Sequence, residues 1–415
     1  AIHPRVLLLD EPLAQLDPVA SDQSLQILQR LSHEWGLTII MVEQSLESCF
    51  HLADSVVFME GGRIVQVRTP PRISFAEAAE VKSLLPGTSR FFAQVFAISG
   101  DGNGIEANSF VPLSIREGRK VLGKIAEKRE GSNHPAEPRP VSTVKTELSP
   151  VRLVEAGAIW FRYDEGGDVI KKVSLNLFPG DIAAIVGGNG AGKSTLLQLL
   201  AGIQQPTKGS LQVERWKNGA VNAAKMAGTV GFLSQNPNDY LWSKTVEEEV
   251  YFTPRRLQKV DTGWIGEVMN ALGLDAIKDR NPRQLSLGER MKVALAAVMA
   301  CRPLILLLDE PTRGLDSASR EGLRSLLNSL AAEGAGVILA THDMEFVGEC
   351  VERVFLLHDG SLADSGSTRE IMRESVFYTS PARRLFRGVD EHVVNWQDGW
   401  RWMAEYLIAD VRGWS

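Results

Sequence analysis

Gly187-Gly-Asn-Gly-Ala-Gly-Lys-Ser194 decides the fold of this chain. It fits G-x-x-x-x-G-K-[ST], the pattern of a phosphate-binding loop, and Ile182-Ala-Ala-Ile-Val186 before it reads as a short buried strand. Thr195-Leu-Leu-Gln-Leu-Leu200 after it reads as the first turns of a helix. Glycines let the backbone wrap phosphate oxygens, so that successive N–H groups form an anion nest at a helix N-terminus. In that setting Lys193 reaches the β- and γ-phosphates of a nucleotide, and the Ser194 hydroxyl is placed to ligate Mg²⁺.

A second signal is an internal repeat. Val6-Leu-Leu-Leu-Asp-Glu-Pro12 recurs as Ile305-Leu-Leu-Leu-Asp-Glu-Pro311, and Leu16-Asp17 as Leu315-Asp316. Val42-Glu-Gln-Ser-Leu-Glu47 parallels Ala340-Thr-His-Asp-Met-Glu345, and Glu60-Gly61 parallels Asp359-Gly360. The offset of roughly 299 residues is too long for a solenoid and implies two copies of one large domain. Only the second copy has the Gly-rich loop. The offset would place its counterpart about 110 residues before Ala1, so the first copy is expected to be incomplete at its N-terminus, as in a piece of a longer tandem protein.

Composition narrows the class. A chain of 415 residues should hold two or three domains, and 44% hydrophobic with 23% charged residues is ordinary for a globular protein. The net charge of −6 disfavours a nucleic-acid partner. Cys49, Cys301 and Cys350 have neither metal-ligand nor disulfide spacing and read as buried thiols. The apolar stretch Ala294 to Leu308 is broken by Arg302-Pro303, which rules it out as a membrane span.

In the second copy, Leu304-Ile-Leu-Leu-Leu308 has the continuous apolar character of a parallel strand buried on both faces. It delivers Asp309 and Glu310 to the carboxyl edge of the sheet, where α/β proteins bind ligands. Asp309 is placed to hold Mg²⁺ as a Walker B aspartate, and Glu310 to orient and polarise an attacking water. Gln235 follows the strand Val230-Gly-Phe-Leu-Ser234 and can contact Mg²⁺ or water. Leu285-Ser-Leu-Gly-Glu-Arg290 precedes a helix running to about Ala300, with Ser286 as N-cap and Glu289 closing a capping box. Ser286 and the Gly288 N–H can present donors to a phosphate held elsewhere, and His342, after Gly336 to Thr341, can reach a γ-phosphate.

The ordered set Lys193, Gln235, Ser286, Asp309–Glu310, Asp316, His342 resembles the ATP-binding-cassette (ABC) ATPases, over about Val151 to Ser367 and again from Ala1 to about Ile64. The resemblance implies an α/β P-loop NTPase fold in tandem, with ATP and Mg²⁺ as cofactors. It implies that Gly187, Gly188, Asn189, Gly190, Ala191, Gly192, Lys193, Ser194 and Thr195 hold phosphates, and that Tyr163 stacks on adenine. Ser194, Gln235 and Asp309 would serve the metal; Glu310, His342 and Gln235 would serve catalysis. The family signature is usually L-S-G-G-Q; here Leu287 replaces the first Gly and Glu289 the Gln, while Ser286 and Gly288 are kept. In the family two domains sandwich ATP head to tail, the P-loop of one facing the signature of the other. The first copy would contribute Asp10, Glu11, Asp17 and Gln44, the last standing where the second copy has His342. Gln donates a hydrogen bond but carries no charge, so the two sites are expected to differ in rate.

The stretch Asn236 to Phe252 is similar to the corresponding region of ATPases in energy-coupling-factor transporters, which import vitamins, cobalt or nickel; fused pairs also occur there, notably for thiamine-precursor uptake. Pro112-Leu-Ser-Ile-Arg-Glu-Gly is similar to a segment in those fused proteins. The implied partners are a transmembrane coupling subunit and a membrane-embedded substrate-binding subunit, with this chain peripheral on the cytoplasmic face of the membrane. Tyr240, Leu241 and Trp242 are expected on an exposed loop as docking anchors. The competing reading is a soluble tandem ATPase acting on ribosomes or nucleic acid, disfavoured by Pro135, Pro138, Pro140 and Pro150 in the linker and by the acidic charge. A DNA-repair ATPase is disfavoured too, since neither a long coiled coil nor zinc-spaced cysteines is present.

The expected organisation is residues 1–64 as part of a first ATPase domain, 65–125 as an accessory segment, 126–150 as a linker rich in charge, Pro, Ser and Gly, 151–370 as a complete second domain, and 371–415 as a helical tail. Phe91-Phe-Ala-Gln-Val-Phe96 in the accessory segment reads as strand-like. The tail carries Trp396, Trp400, Trp402 and Trp414 with Arg383, Arg384 and Arg387 ahead, either packed on its own domain or anchored at an interface.

Overall fold

The computed structural model describes residues 4–13, 16–43, 46–60, 62–68, 72–78, 85–99, 110–130, 151–164 and 166–412. The chain divides into two compact units, Ala1–Ser142 with Met372–Ser415, and Thr143–Ile371.

The second unit opens with β5 (Val154–Phe161), β6 (Ile170–Leu177), β7 (Ile182–Val186), α5 (Lys193–Leu200), β8 (Lys208–Val213) and β9 (Trp216–Lys217). Numbering follows the chain, so the lower-numbered strands and helices belong to the first unit. It continues with α6 (Ala223–Met226), β10 (Val230–Leu233), α7 (Val246–Arg256), α8 (Thr262–Ala271), α9 (Leu287–Met299) and β11 (Ile305–Asp309). It closes with α10 (Ser317–Ala332), β12 (Gly336–Ala340), α11 (Met344–Cys350), β13 (Arg353–His358), β14 (Ser361–Ser367) and α12 (Thr368–Glu374), which runs across the unit boundary.

A six-stranded sheet in the order β10-β11-β12-β7-β13-β14 forms its centre. The neighbours from β10 to β13 pair in parallel and β14 closes the edge antiparallel. Every residue of β7, β11 and β12 is buried, as their unbroken apolar runs require of strands covered on both faces. Four further strands in the order β6-β5-β8-β9 pack their apolar faces into the same core, through Ile159, Val173, Leu177 and Leu211 against Leu196, Leu200 and Ile338. Because β10, β11, β12 and β7 run the same way, the residues that follow each of them emerge along one edge.

The first unit, among its described residues, holds β1 (Val6–Asp10), α1 (Pro18–Trp35), β2 (Thr38–Val42), β3 (Val56–Glu60), β4 (Arg63–Arg68), α2 (Phe75–Ala78), α3 (Gly87–Ser99), α4 (Ile115–Glu130), α13 (Pro381–Phe386) and α14 (Trp396–Arg412). The repeat is visible in its geometry. β1 pairs β2 in parallel with Asp10 opposite Val42, as β11 pairs β12 with Asp309 opposite Ala340. Asp17 caps α1 through the Ala20 N–H, as Asp316 caps α10 through the Ser319 N–H. One difference is burial: Leu8 in β1 is 72% exposed, whereas its counterpart Leu307 is fully buried. The same Leu-Leu-Leu-Asp run sits in both, so burial here follows what is layered on the strand.

Two expectations are corrected in this unit and its flanks. Phe91 to Phe96 is not a strand but the middle of α3; Phe91, Phe92 and Val95 are buried at helical spacing. The linker does not begin at 126, because α4 runs to Glu130; residues 131–150 lie outside the described residues. Of the two readings of the tail, the described tryptophans follow the first and pack within their own unit. Phe386, Trp396, Trp400 and Trp402 share one apolar cluster with Phe91, Phe92 and Leu122, and the Phe91 ring lies 5.6 Å from Trp396 and 5.1 Å from Trp400. Trp414 lies outside the described residues. No helix among them is long and apolar enough to cross a membrane.

Candidate functional site

The Gly-rich loop joins β7 to α5. Gly190 and Gly192 hold φ of 77° and 101°, in the left-handed region that only glycine enters cheaply. Gly187 is demanded by contact, since a Cβ there would overlap the Leu357 carbonyl oxygen. Gly192 is the N-cap of α5 and brings no side-chain acceptor, so the first-turn amides face the loop rather than a capping side chain. Lys193 is 8% exposed, and its Nζ donates to Gly187 O at 2.8 Å and Gly188 O at 3.1 Å. Tyr163 stands beside α5, its hydroxyl 3.2 Å from Thr195 Oγ1 and donating to Gln198 Oε1 at 3.4 Å.

Two strands along the sheet, β11 ends in Asp309, which is 3% exposed. Burial drives its carboxyl up to about 6, and the neighbouring Glu310 charge adds to that, against a hydrogen bond from the Ser194 hydroxyl and the charge of Lys193. Glu310 follows at φ 50°, a left-handed conformation unusual for a side chain of its size, fixed by its N–H donating to Ala340 O at 2.8 Å. Its carboxylate is held on both oxygens: Thr341 Oγ1 donates to Oε2 at 3.1 Å, and His342 Nδ1 lies 2.8 Å from Oε1. Burial works to push the His342 imidazole down. The hydrogen bond with Glu310 and the charges of Glu310 and Asp343 outweigh burial and the opposing Lys193, and hold it above its ordinary value.

The structure therefore brings the Gly187–Thr195 loop, Asp309, Glu310 and His342 to one edge, from the adjacent strands β7, β12 and β11. Gln235, exposed just past the end of β10, sits on the same edge. Thr341 was missed by sequence reading. Its signal was its place, directly before His342 at a strand end opposite Glu310.

Ser286 caps α9 in a closed capping box: its Oγ accepts from the Glu289 N–H, and the Glu289 carboxylate accepts from the Ser286 N–H at 2.8 Å. That backbone bond leads the contacts that hold the Glu289 carboxyl below its usual range. Gly288 is fixed by packing, because a Cβ would overlap the Gly314 carbonyl oxygen. This approach joins the start of α9 to the turn before Asp316, and Lys292 on α9 ion-pairs with Asp316.

In the first unit Asp10 and Glu11 repeat the pattern. Glu11 has φ 44° and donates its N–H to Val42 O at 2.9 Å, as Glu310 does to Ala340. Where the second unit has Thr341 the first has Glu43, which accepts from the Leu13 N–H at 2.8 Å. Gln44 lies outside the described residues.

The predicted docking loop is corrected. Leu241 is 3% exposed. The Tyr240 hydroxyl is folded back on β10, donating to Phe232 O at 2.9 Å and accepting from the Ser234 N–H at 2.8 Å. Leu241 fills the core and Tyr240 closes the strand end, which leaves Trp242, 69% exposed, as the accessible aromatic of the three.

The chain is similar to known proteins over most of its length. The family model described as ABC transporter matches residues 170–313. A protein assigned as an ABC transporter ATP-binding protein in Clostridium tetani is 33% identical over 389 residues, 93% of this chain and 83% of that one. One so assigned in Bacillus cereus is 32% identical over 399 residues, 96% of this chain and 69% of that one. Among solved structures, cbiO1 from Clostridium perfringens, described as part of the ABC transporter complex cbiONQ, is 28% identical with a TM-score of 0.49, covering 57% of this chain and 94% of that one.

Proposed function

This chain belongs to the ABC transporter ATP-binding proteins, and from that premise we propose that it powers an importer of the energy-coupling-factor type, which takes up a vitamin, a vitamin precursor or a transition-metal ion. The ABC ATPase domain binds and hydrolyses ATP. The observation that carries the assignment of roles is the 2.8 Å pair of Glu310 and His342 on the sheet edge that also bears the Lys193 loop.

The amides from Gly187 to Thr195 and the Lys193 ammonium cradle the phosphates, while Tyr163 offers its ring to adenine. Ser194 and Asp309, already hydrogen-bonded to each other, would hold Mg²⁺ together with Gln235 from the same sheet edge, an all-oxygen set suited to that ion; the ion, when bound, would neutralise charge on the β- and γ-phosphates. Glu310 takes the proton of a water as its oxygen attacks the γ-phosphorus, the bond to the bridging oxygen breaks, and ADP leaves with that electron pair. Thr341 and His342 fix the Glu310 carboxylate for that transfer. Ser286, Gly288 and Glu289 serve the ATP of a facing domain, paired head to tail.

The importer type is supported by the likeness of Asn236–Phe252 to energy-coupling-factor ATPases and by the repeated domain. The partners are then a transmembrane coupling subunit and a membrane substrate-binding subunit, and the chain works on the cytoplasmic face. Expression with an affinity tag and detergent extraction of membranes tests this: the chain should co-purify with integral membrane proteins. Co-sedimentation with ribosomes in place of membranes would overturn it.

A further inference from the structure

Arg290, one residue beyond the capping box of α9, joins two stretches that lie far apart in sequence. Its Nε donates to Leu285 O at 2.9 Å and its Nη2 to Arg283 O at 2.8 Å, closing the turn that leads into Ser286. Its Nη1 donates to Asn238 Oδ1 at 3.1 Å, in the segment that follows Gln235. Arg283 makes a second bond across, from Nε to Leu241 O at 3.3 Å.

The receiving segment is itself knitted together. Asn238 N and Nδ2 donate to Asn236 Oδ1 at 3.2 and 3.0 Å, and Asn236 Nδ2 donates to Asp239 Oδ1 at 3.1 Å. Ser234 Oγ donates to Asp239 Oδ2 at 2.7 Å, and Trp242 Nε1 to Asp239 O at 3.1 Å. An unbroken hydrogen-bonded path thus runs from the exposed Trp242 through Asp239, Asn236, Asn238 and Arg290 to the carbonyl directly before Ser286. Only a planar guanidinium, with its donors in a fixed fork, reaches three acceptors on two segments at once.

We propose that Arg290 is a positioning residue that makes the segment 236–243 and the Ser286 turn one body, so that displacement of Trp242 by a bound partner carries Ser286 with it. The use made of Ser286 rests on the ATPase reading above; the mechanical coupling rests on the hydrogen bonds alone.

The test uses Arg290→Lys, Asn238→Ala, their combination, and Asn238→Asp, which keeps the acceptor. With Mg-ATP, Asn238→Ala should lower kcat about tenfold, the effect of losing one hydrogen bond to a charged group, and Arg290→Lys, which also gives up the fork on Leu285 O and Arg283 O, by at least as much, with KM unchanged. The double variant should lose no more than Arg290→Lys alone, since that change already removes the Arg290–Asn238 link, and Asn238→Asp, which keeps the acceptor for Arg290 but gives up the Nδ2 bond to Asn236, should retain more activity than Asn238→Ala. Additive losses would overturn the proposal. Independently of turnover, hydrogen–deuterium exchange of the Asn238→Ala chain should speed up both at 236–243 and at 286–290. Faster exchange confined to 236–243 overturns the coupling whatever the ATPase result. A parent chain that binds no ATP would count against the ATPase reading, and the exchange measurement would still decide the coupling.

Discussion

Nδ1 of His342 lies 2.8 Å from Oε1 of Glu310, and the backbone of Glu310 is held at φ 50° to keep it there. A left-handed glutamate costs roughly 1–2 kcal/mol, and the same conformation at Glu11 shows that both copies bear this cost at the same place. The N–H of each is spent on the neighbouring strand, so the carboxylate rather than the backbone is presented at the edge.

Replacing Glu310 by Gln should therefore leave ATP affinity unchanged and slow hydrolysis about 10²- to 10⁴-fold, the range for loss of a positioned base. The amide retains the acceptor for Thr341 but cannot take a proton. Equilibrium binding of a fluorescent ATP analogue, beside steady-state phosphate release, separates the two effects. Undiminished turnover would remove Glu310 from the mechanism.

Lys193→Ala should remove most nucleotide affinity, by about tenfold or more, because its ammonium sits inside the loop. Its buried Nζ bonds to Gly187 O and Gly188 O also hold the loop shape. The same fluorescent analogue reads the result, and equal binding by variant and parent would end the assignment of this loop to phosphates.

How much of this was legible in the sequence depends on the range of the interaction. The strands β7, β11 and β12 could be read because unbroken apolar runs next to Gly-rich or acidic stops admit few alternatives. The cap at Ser286 was legible because it bonds within three residues; the caps at Asp17 and Asp316 have the same short range and were passed over, since the repeat drew the reading there. The run Phe91 to Phe96 was not, since a short aromatic run satisfies strand and helix alike, and what decides is the packing of Phe91 and Phe92 against residues near 390. Leu241 and Trp242 are adjacent and equally apolar; only the core beneath one of them separates buried from exposed. The contacts of Gly288 with Gly314 and of Arg290 with Asn238 span loops whose spacing carries no signal.

Gly288→Ala should be more disruptive than Ser286→Ala. The added methyl meets the Gly314 carbonyl and must part α9 from the turn before Asp316, a loss of about 1–3 kcal/mol, whereas removing the Ser286 cap costs about 1 kcal/mol. Thermal melting of the two variants gives the comparison. A Gly288→Ala chain as stable as the parent would show that the approach of Gly314 yields freely.

Glu349 gives the pH prediction. Burial, with the charges of Glu345 and Asp343, raises its carboxyl to about 7, against Arg320 and Arg324. Its unfolded value is lower, so between about 4.5 and 7 the folded state binds more protons, and this group's contribution falls as pH rises through that window. Glu349→Gln should be more stable than the parent at pH 8, by on the order of 2 kcal/mol after allowing for partial exposure, and no different at pH 4.5. Denaturant melts at both values check it; a gain that is the same at both would place the effect elsewhere.

Trp242→Ala should weaken co-purification with a membrane subunit while leaving the melting temperature unchanged, since the indole is largely exposed and a buried aromatic anchor at an interface is worth 2 kcal/mol or more, roughly a thirtyfold loss of affinity. Retained assembly by a folded variant would move the docking surface away from this loop.

The sequence contains one Gly-x-x-x-x-Gly-Lys-Ser loop and one Leu-Ser-Leu-Gly-Glu element, both in the second unit. If the signature of one domain serves the ATP of another, the dilute 415-residue chain cannot complete a site with its own second unit. Two molecules can, each lending Ser286 and Gly288 to the other. Phosphate release per mole should then rise with protein concentration as the paired state becomes populated, and level off once pairing saturates. Lys193→Ala mixed with Ser286→Ala should recover activity that neither shows alone, because one mixed pair joins an intact loop to an intact signature. A dilution series with the oligomeric state measured at each point decides the matter. Full turnover by a proven monomer, independent of concentration, would show that one domain hydrolyses ATP without a facing signature.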